Sequence, residues 1–234
     1  MKKYIIANWK SHKTMDEVVF WLDNFPNNEE ARRALLNLEI ILAPPYPFLT
    51  KAEEIINQRR LPIKLAVQDL SPFGSGAYTG EVAAFNLQSF NVEYALLGHS
   101  ERRRFLKESS QLISDKVNEA LAWRIKPILC LDQPYFTEQA RFLKNSAMEQ
   151  CLLAYEPVAA IGSGQAEEAG NLLEVRQSLM PLYQSKILIY GGSVNADNVV
   201  AYLKVCDGVL LGGVSLDLKN FVDLLYAASE SLLS

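Results

Sequence analysis

Long apolar stretches, paired cysteines and an excess of either charge are all missing from this 234-residue chain. No uninterrupted apolar run approaches the ~20 residues that a membrane-crossing helix needs. The apolar segment behind Met1-Lys2-Lys3 stops at Trp9, with Lys10, His12 and Lys13 close behind, and is too short for a secretion signal. Three cysteines, Cys130, Cys151 and Cys206, have no CxxC spacing, and each lies in or beside an apolar run. Reduced, mostly buried thiols are therefore expected rather than a disulfide frame. Lys and Arg number 23 against 27 Asp and Glu, a net charge of −4, and no basic face for nucleic acid is visible. The densest basic run, Arg102-Arg103-Arg104, is flanked by Glu101 and Glu108 and reads as a helical ion-pair face. No Pro/Gly/Ser-rich linker divides the chain. With 49% hydrophobic and 21% charged residues the composition excludes disorder. The expectation is one cytoplasmic domain over residues 1–234, with no membrane or nucleic-acid partner.

What is present is a repeat of apolar, β-branched runs: Tyr4–Trp9, Leu38–Ala43, Ile63–Val67, Tyr94–Gly98, Pro127–Leu131, Leu152–Tyr155, Ile187–Gly191 and Gly208–Gly212. They are continuous rather than alternating, as strands of a parallel sheet covered on both faces should be. Helical stripes separate them: Val18, Trp21, Leu22 and Phe25 fall at i, i+3, i+4, i+7, and Phe221, Leu224, Leu225 and Ala228 repeat the spacing. Eight strand-helix units of roughly 29 residues each predict an α/β fold, the (β/α)8 barrel with an outer ring of helices. An open doubly wound sheet would want a glycine fingerprint in its first strand-to-helix turn, where this chain has Asn8-Trp9-Lys10-Ser11. In a barrel the active site lies at the C-terminal ends of the strands, so polar residues there are the candidates.

The richest of these ends is Ala154-Tyr155-Glu156-Pro157, followed by small residues to Gly162 and Gly164. Pro157 biases Glu156 towards an extended conformation at the end of its strand, and the glycines allow both a moving flap and close approach of backbone N–H groups to an anion. Asn8 and Lys10 are two apart and can face the same mouth; singly they would be a turn residue and a surface lysine. After the fourth strand, Ser100 can cap a helix and Glu101 sits in its first turn, so His99 lies at a helix N-terminus. The positive helix end disfavours imidazolium there, making His99 a neutral hydrogen-bond donor. His12, the only other histidine, has no such setting and is expected at the surface. Two diglycines, Gly191-Gly192-Ser193 and Gly212-Gly213, close the last two strands, where barrels commonly hold phosphate. A carboxylate, a histidine, a lysine, an asparagine and a phosphate cradle suit proton abstraction beside a carbonyl, with Glu156 as base and His99 and Lys10 on the oxyanion. No metal-ligand cluster, Ser-His-Asp set or dinucleotide fingerprint accompanies them, so no cofactor or metal is expected.

Asn8-Trp9-Lys10, Gly76-Ala77-Tyr78-Thr79-Gly80-Glu81, Gly98-His99-Ser100-Glu101-Arg102-Arg103, Ala154–Val158, Tyr190-Gly191-Gly192-Ser193 and Asp207–Gly213 together resemble the triosephosphate isomerase family, in family order from residue 8 to 213. A glutamate base with a neutral histidine is the arrangement known for that family. The resemblance implies cofactor-free interconversion of dihydroxyacetone phosphate and D-glyceraldehyde 3-phosphate through an enediolate. It implies Glu156 as base, His99 as electrophile, Lys10 as electrostatic stabiliser and Asn8 as substrate holder. Gly162, Ser193, Gly212 and Gly213 would bind the phosphate, Glu101 would support Lys10, and Tyr190 and Ser193 would latch a lid. The 71–81 loop would be the arm of a homodimer, with Thr79 reaching the neighbour's site. The chain departs from the family pattern at Ala159, Ser163 and Gln165 in the lid hinges, and at Asp132-Gln133, where Gly-Glu is usual. A noncatalytic phosphometabolite-binding barrel and another phosphosugar isomerase are the alternatives.

Overall fold

Each apolar run finds its partner in the next one along the chain. The computed structural model describes residues 2–157 and 167–232, and its eight strands are β1 (Lys3–Asn8), β2 (Leu38–Ala43), β3 (Ile63–Val67), β4 (Val92–Leu97), β5 (Lys126–Leu131), β6 (Leu152–Tyr155), β7 (Leu188–Tyr190) and β8 (Gly208–Leu211). All pair in parallel in sequence order, and β8 closes on β1 through Tyr4↔Gly208 to Ala7↔Leu211, so no sheet edge is left open. The strands lie within two residues of the runs read from the sequence. At Gly208 an added Cβ would stand 2.3 Å from the Tyr4 carbonyl oxygen, so the last strand can reach the first only without a side chain there.

Alternation along the strands divides the apolar residues between two cores. Ile6, Ile41, Ala66, Leu96, Ile128, Cys130, Leu152, Ala154, Ile189 and Leu210 point into the barrel. Their neighbours Ile5, Leu42, Leu65, Leu97, Leu129, Leu153 and Val209 point outward against the helices. The helices α1 (Met15–Asp23), α2 (Glu29–Ala34), α3 (Leu49–Arg59), α4 (Ser100–Leu106), α5 (Ser110–Ala122), α6 (Phe136–Phe142), α7 (Asn145–Met148), α8 (Asn171–Tyr183), α9 (Val199–Val205) and α10 (Leu218–Glu230) form the outer layer among the described residues. Phe221, Leu224, Leu225 and Ala228 of α10 are buried, as their spacing predicts, as are Val18, Trp21 and Leu22 of α1. Thr14 starts α1 with a reciprocal capping box to Glu17.

The third unit differs from a regular repeat. After β3 the chain runs through an excursion with only a 3-10 turn, Ala84–Leu87, before β4. Ser71, Pro72, Gly74, Ser75, Gly76 and Gly80 give that stretch turn chemistry and no helical apolar stripe. The three cysteines are buried free thiols. No helix among the described residues is long and apolar enough to cross a membrane.

The floor of the barrel is charged. Glu39 of β2 accepts the Tyr94 hydroxyl and pairs with Lys64 at 3.2 Å, and Lys64 also pairs with Glu93 at 2.7 Å. Burial pushes the Glu39 carboxyl up, but Tyr94 and Lys64 outweigh it and hold it below the ordinary value. A carboxyl whose folded pKa lies below its unfolded one stabilises above the unfolded value and loses that contribution as pH falls through the folded one. Glu39→Gln is therefore expected to melt below wild type at neutral pH and to converge with it below about pH 4. Thermal denaturation across pH checks this; a gap that persists undiminished in acid would count against it.

Candidate active site

The inward-facing series of the strands, continued to or just past their ends, supplies the floor of the cleft and, at Gln68, a support behind it. Ile6 leads to Asn8, Ala66 to Gln68, Cys130 to Asp132, Ala154 to Glu156, Ile189 to Gly191 and Leu210 to Gly212. Asn8, Asp132, Glu156, Gly191 and Gly212 line one cleft with Lys10, His99, Glu101, Ser193 and Gly213.

Glu156 lies one residue beyond β6 and is 2% exposed. Its N–H donates to the Leu131 carbonyl at 2.8 Å, extending the ladder, while Pro157 stops it. One carboxylate oxygen is 3.0 Å from His99 Nε2, and the other accepts the Ser100 N–H at 2.8 Å. Burial pushes the Glu156 carboxyl up, but His99 and the Ser100 N–H outweigh it, so in this arrangement it lies below the ordinary value.

His99 itself caps α4: Nδ1 accepts the Glu101 N–H at 3.2 Å. Ser100, expected as the cap, is the first helical residue instead. Gly98, at φ +73°, turns the chain so that His99 takes the extended cap conformation and its ring nitrogen reaches the helix end. A ring nitrogen that accepts a hydrogen bond carries no proton, so this network assigns the Nε2–H tautomer, with Nε2–H donating to Glu156. Burial pushes the imidazolium down as the helix end would, but Glu156 and Glu101 pull harder, and the net direction is upward while Glu156 rests on the ring.

Lys10 occupies the left-handed region at φ 51°, which costs a non-glycine residue on the order of 1 kcal/mol. Its N–H is held by Asn8 Oδ1 at 3.0 Å, and its carbonyl accepts from Gln68 Nε2 at 2.9 Å. The same Gln68 nitrogen also donates to the Ala43 carbonyl at 2.9 Å, tying three strand ends together. The Lys10 ammonium pairs with Glu101 at 2.7 Å. A Cβ at Gly212 would stand 3.3 Å from Lys10 Cε, so the cradle and the lysine share one wall.

A short 3-10 turn, Gly213–Leu216, begins at the second diglycine. Both indole N–H groups of the core, from Trp9 and Trp21, donate to the Ser215 carbonyl at 3.1 Å, so this turn is anchored on the aromatic core. In the first diglycine, a Cβ at Gly192 would lie 2.1 Å from the Tyr190 hydroxyl oxygen. Gly192→Ala is expected to cost about 1–3 kcal/mol in overpacking. Gly213→Ala, with nothing within 4 Å of its added carbon, serves as the comparison. Equal denaturant midpoints for the two would show that Tyr190 does not constrain this turn.

Tyr190 stacks on Tyr202 at 4.4 Å. Its hydroxyl accepts the Glu167 N–H at 3.0 Å, and the Tyr202 hydroxyl donates to the Glu167 carbonyl at 2.7 Å. The chain is thus held just after 158–166, the segment outside the described residues that contains Ala159, Gly162, Ser163, Gly164 and Gln165. The Ser193 carbonyl accepts a hydrogen bond from Asn198 Nδ2 at 3.2 Å.

Thr79 is exposed on the excursion after β3 and does not line its own chain's cleft. His12 is exposed. The basic run is only partly the solvated face expected of it. Arg102 pairs with Asp69 at 2.6 Å and Glu108 at 2.7 Å, but Arg103 points inward and is 7% exposed. Helical rotation by one residue carries Arg103 from the surface side to the barrel side, where Gly98, Ser110 and Gln139 receive its hydrogen bonds. Gln68 and Asp132 were not among the sequence candidates. The signal that finds them is the same two-residue step that leads from Ala154 to Glu156. Among the described residues, no three of His, Cys, Asp and Glu are grouped as metal ligands would be.

The sequence profile of the triosephosphate isomerase family matches residues 3–228. The chain is 35% identical to triosephosphate isomerase of Thermus thermophilus, covering 97% of this chain and 100% of that one. Identity is 34% with the enzyme of Paracidovorax citrulli, over 97% and 99% of the two chains, and 32% with that of Dictyoglomus turgidum, over 95% and 98%. Agreement that runs the length of both partners, on a closed eight-stranded parallel barrel, leaves one conclusion: the chain belongs to the triosephosphate isomerase family.

Proposed function

We propose that this protein is a single-domain cytoplasmic enzyme that interconverts dihydroxyacetone phosphate and D-glyceraldehyde 3-phosphate through an enediolate, without a cofactor. The observation that carries the reading is the buried Glu156 carboxylate held between His99 Nε2 and the Ser100 N–H, in one cleft with Lys10 and two diglycines. Glu156 removes the proton from the carbon beside the carbonyl, His99 Nε2–H and the Lys10 ammonium stabilise the oxyanion, the hydroxyl proton passes from one enediolate oxygen to the other, and Glu156 returns its proton to the neighbouring carbon. Asn8 holds the substrate and positions Lys10; Glu101 orients the lysine. The N–H groups of Gly162, Ser193, Gly212 and Gly213 bind the phosphate, and Tyr190 and Ser193 latch the lid.

The resting contacts suit a base that substrate switches on. In taking the His99 Nε2–H, the substrate oxygen removes the larger of the two contacts that hold the Glu156 carboxyl down. Burial is then opposed by the Ser100 contacts without His99, and the carboxylate becomes a stronger base.

The active form is a homodimer joined through the 71–81 loop, with Thr79 completing the neighbour's site. Phe73 and Tyr78 support this reading: they stack at 4.3 Å and remain 45% exposed each, an aromatic surface suited to a partner. A coupled spectrophotometric assay without added metal or nucleotide, run across protein concentrations, tests both parts. Turnover is expected, with specific activity falling on dilution as the dimer dissociates. Turnover no higher than the blank would overturn the isomerase reading. Dilution-independent activity from a sedimenting monomer would overturn the dimer.

A further inference from the structure

A second buried carboxylate stands beside the proposed base, and the mechanism above gives it no part. Register pairs Leu131 of β5 with Tyr155 of β6, and the Glu156 N–H continues the ladder to the Leu131 carbonyl. Asp132 and Glu156 are thus the next residues on adjacent strands, each extending an inward-facing series, Ile128-Cys130-Asp132 and Leu152-Ala154-Glu156. Both line the cleft, at 8% and 2% exposure. Asp132 Oδ1 is buried with no hydrogen-bond partner among the described residues. The nearby cation, Arg103, commits its guanidinium elsewhere: to the Gly98 carbonyl at 3.2 Å, Ser110 Oγ at 3.4 Å and Gln139 Oε1 at 2.7 Å. A carboxylate set there for structure alone would be matched by that arginine. Glycine is usual at this place in the family pattern, so the acid is a feature of this chain.

We propose that Asp132 is a positioning residue whose negative charge, held beside Glu156 at the top of the barrel, strengthens Glu156 as the proton-abstracting base. The inference rests on the isomerase reading. Proton abstraction neutralises Glu156, so repulsion between the two carboxylates is present before the transfer and relieved during it. Water is largely excluded from both groups, which preserves that repulsion. The other groups facing the pair are His99, Glu101 and Lys10 on the Glu156 side, Cys130 below, and Arg103 and Tyr155 on the Asp132 side. Burial raises the Asp132 carboxyl, Arg103 and its own backbone N–H lower it, Glu156 raises it again, and the net direction is upward. Glu156 disfavours ionisation of Asp132, and because repulsion between two charges is reciprocal, Asp132 is assigned the same effect on Glu156.

Asp132→Asn is expected to move the acid limb of the kcat/KM pH profile down by roughly 0.5–1 pH unit and to lower kcat near neutrality about three- to tenfold, with KM little changed. Asp132→Glu should keep the limb close to the wild-type position. Asp132→Gly gives a second neutral variant should the amide fold poorly. A parallel measurement needs no turnover: ¹³C NMR titration of glutamate carboxyls, with the Glu156 signal assigned by its loss in Glu156→Gln. Its midpoint should fall in Asp132→Asn. An unmoved acid limb together with an unmoved Glu156 midpoint would overturn the proposal, even if activity fell evenly across pH. A shifted midpoint in a protein that turns over no triose phosphate would leave the coupling standing and remove the isomerase reading instead.

Discussion

Glu156→Gln is expected to lower kcat by about 10²–10⁴-fold, because an amide cannot accept the substrate proton. The fold should tolerate it. Gln has the same length, and its carbonyl can still accept from His99 Nε2, now 3.0 Å from the carboxylate. Only one strong contact is lost, that with the Ser100 N–H at 2.8 Å. Affinity for a phosphate-bearing substrate analogue should change little, since an amide of the same size against Gly191 leaves the backbone N–H groups of both diglycines in place. Glu156→Asp separates charge from reach: it keeps a carboxylate but withdraws it by one methylene, and a displacement of about 1 Å can cost 10²-fold when the reacting atoms must meet. Coupled assays with calorimetric analogue binding check both variants. Wild-type turnover in either would remove Glu156 from its role, and analogue binding lost along with turnover would point to a collapsed site.

Trp21→Ala should have the largest effect on stability, about 3–5 kcal/mol. For a chain of this length that lowers Tm by on the order of 10 °C. Trp21 is 1% exposed and meets Trp9 edge-on at 5.2 Å, Phe25 at 5.5 Å and Phe221 at 5.3 Å. Its removal leaves a cavity between α1, α10 and the barrel that rigid aromatic neighbours cannot fill. It also takes away one of two donors on the Ser215 carbonyl, at the end of the turn that begins with Gly213. Trp21→Phe should cost markedly less, retaining most of the ring packing and losing only the N–H. Denaturant melts of the two variants separate packing from hydrogen bonding. Equal losses in both would place the effect on the hydrogen bond and refute the cavity account.

The strands were legible because each is a local signal, a short apolar run that ends within two residues of where the barrel ends it. Two misreadings have one origin. Ser100 has the composition of a cap, yet the positive φ of Gly98 puts His99 in that position. Arg103 belongs to a basic run, yet its place on the helix turns it into the barrel. In both, the deciding quantity is the direction of one residue relative to its neighbours, which composition does not encode. The loop after β3 was readable in the turn residues between Ser71 and Gly80; what failed was the expectation that every strand is followed by a regular helix. Gln68 escaped notice because a glutamine after a strand has no chemical signature until its amide is seen between two carbonyls.

By itself the sequence determined the strands, the two apolar periods and the set of polar residues that end the strands, since hydrophobic spacing and the restrictions of proline and glycine act within a few residues. Only the tertiary structure decided which of those residues meet. Barrel closure brings Glu156 onto His99 and Ser100, turns the Lys10 ammonium to Glu101 and sets Asp132 beside the base. Protonation preferences follow from those meetings, because burial and neighbouring charge belong to the folded arrangement and to no residue alone.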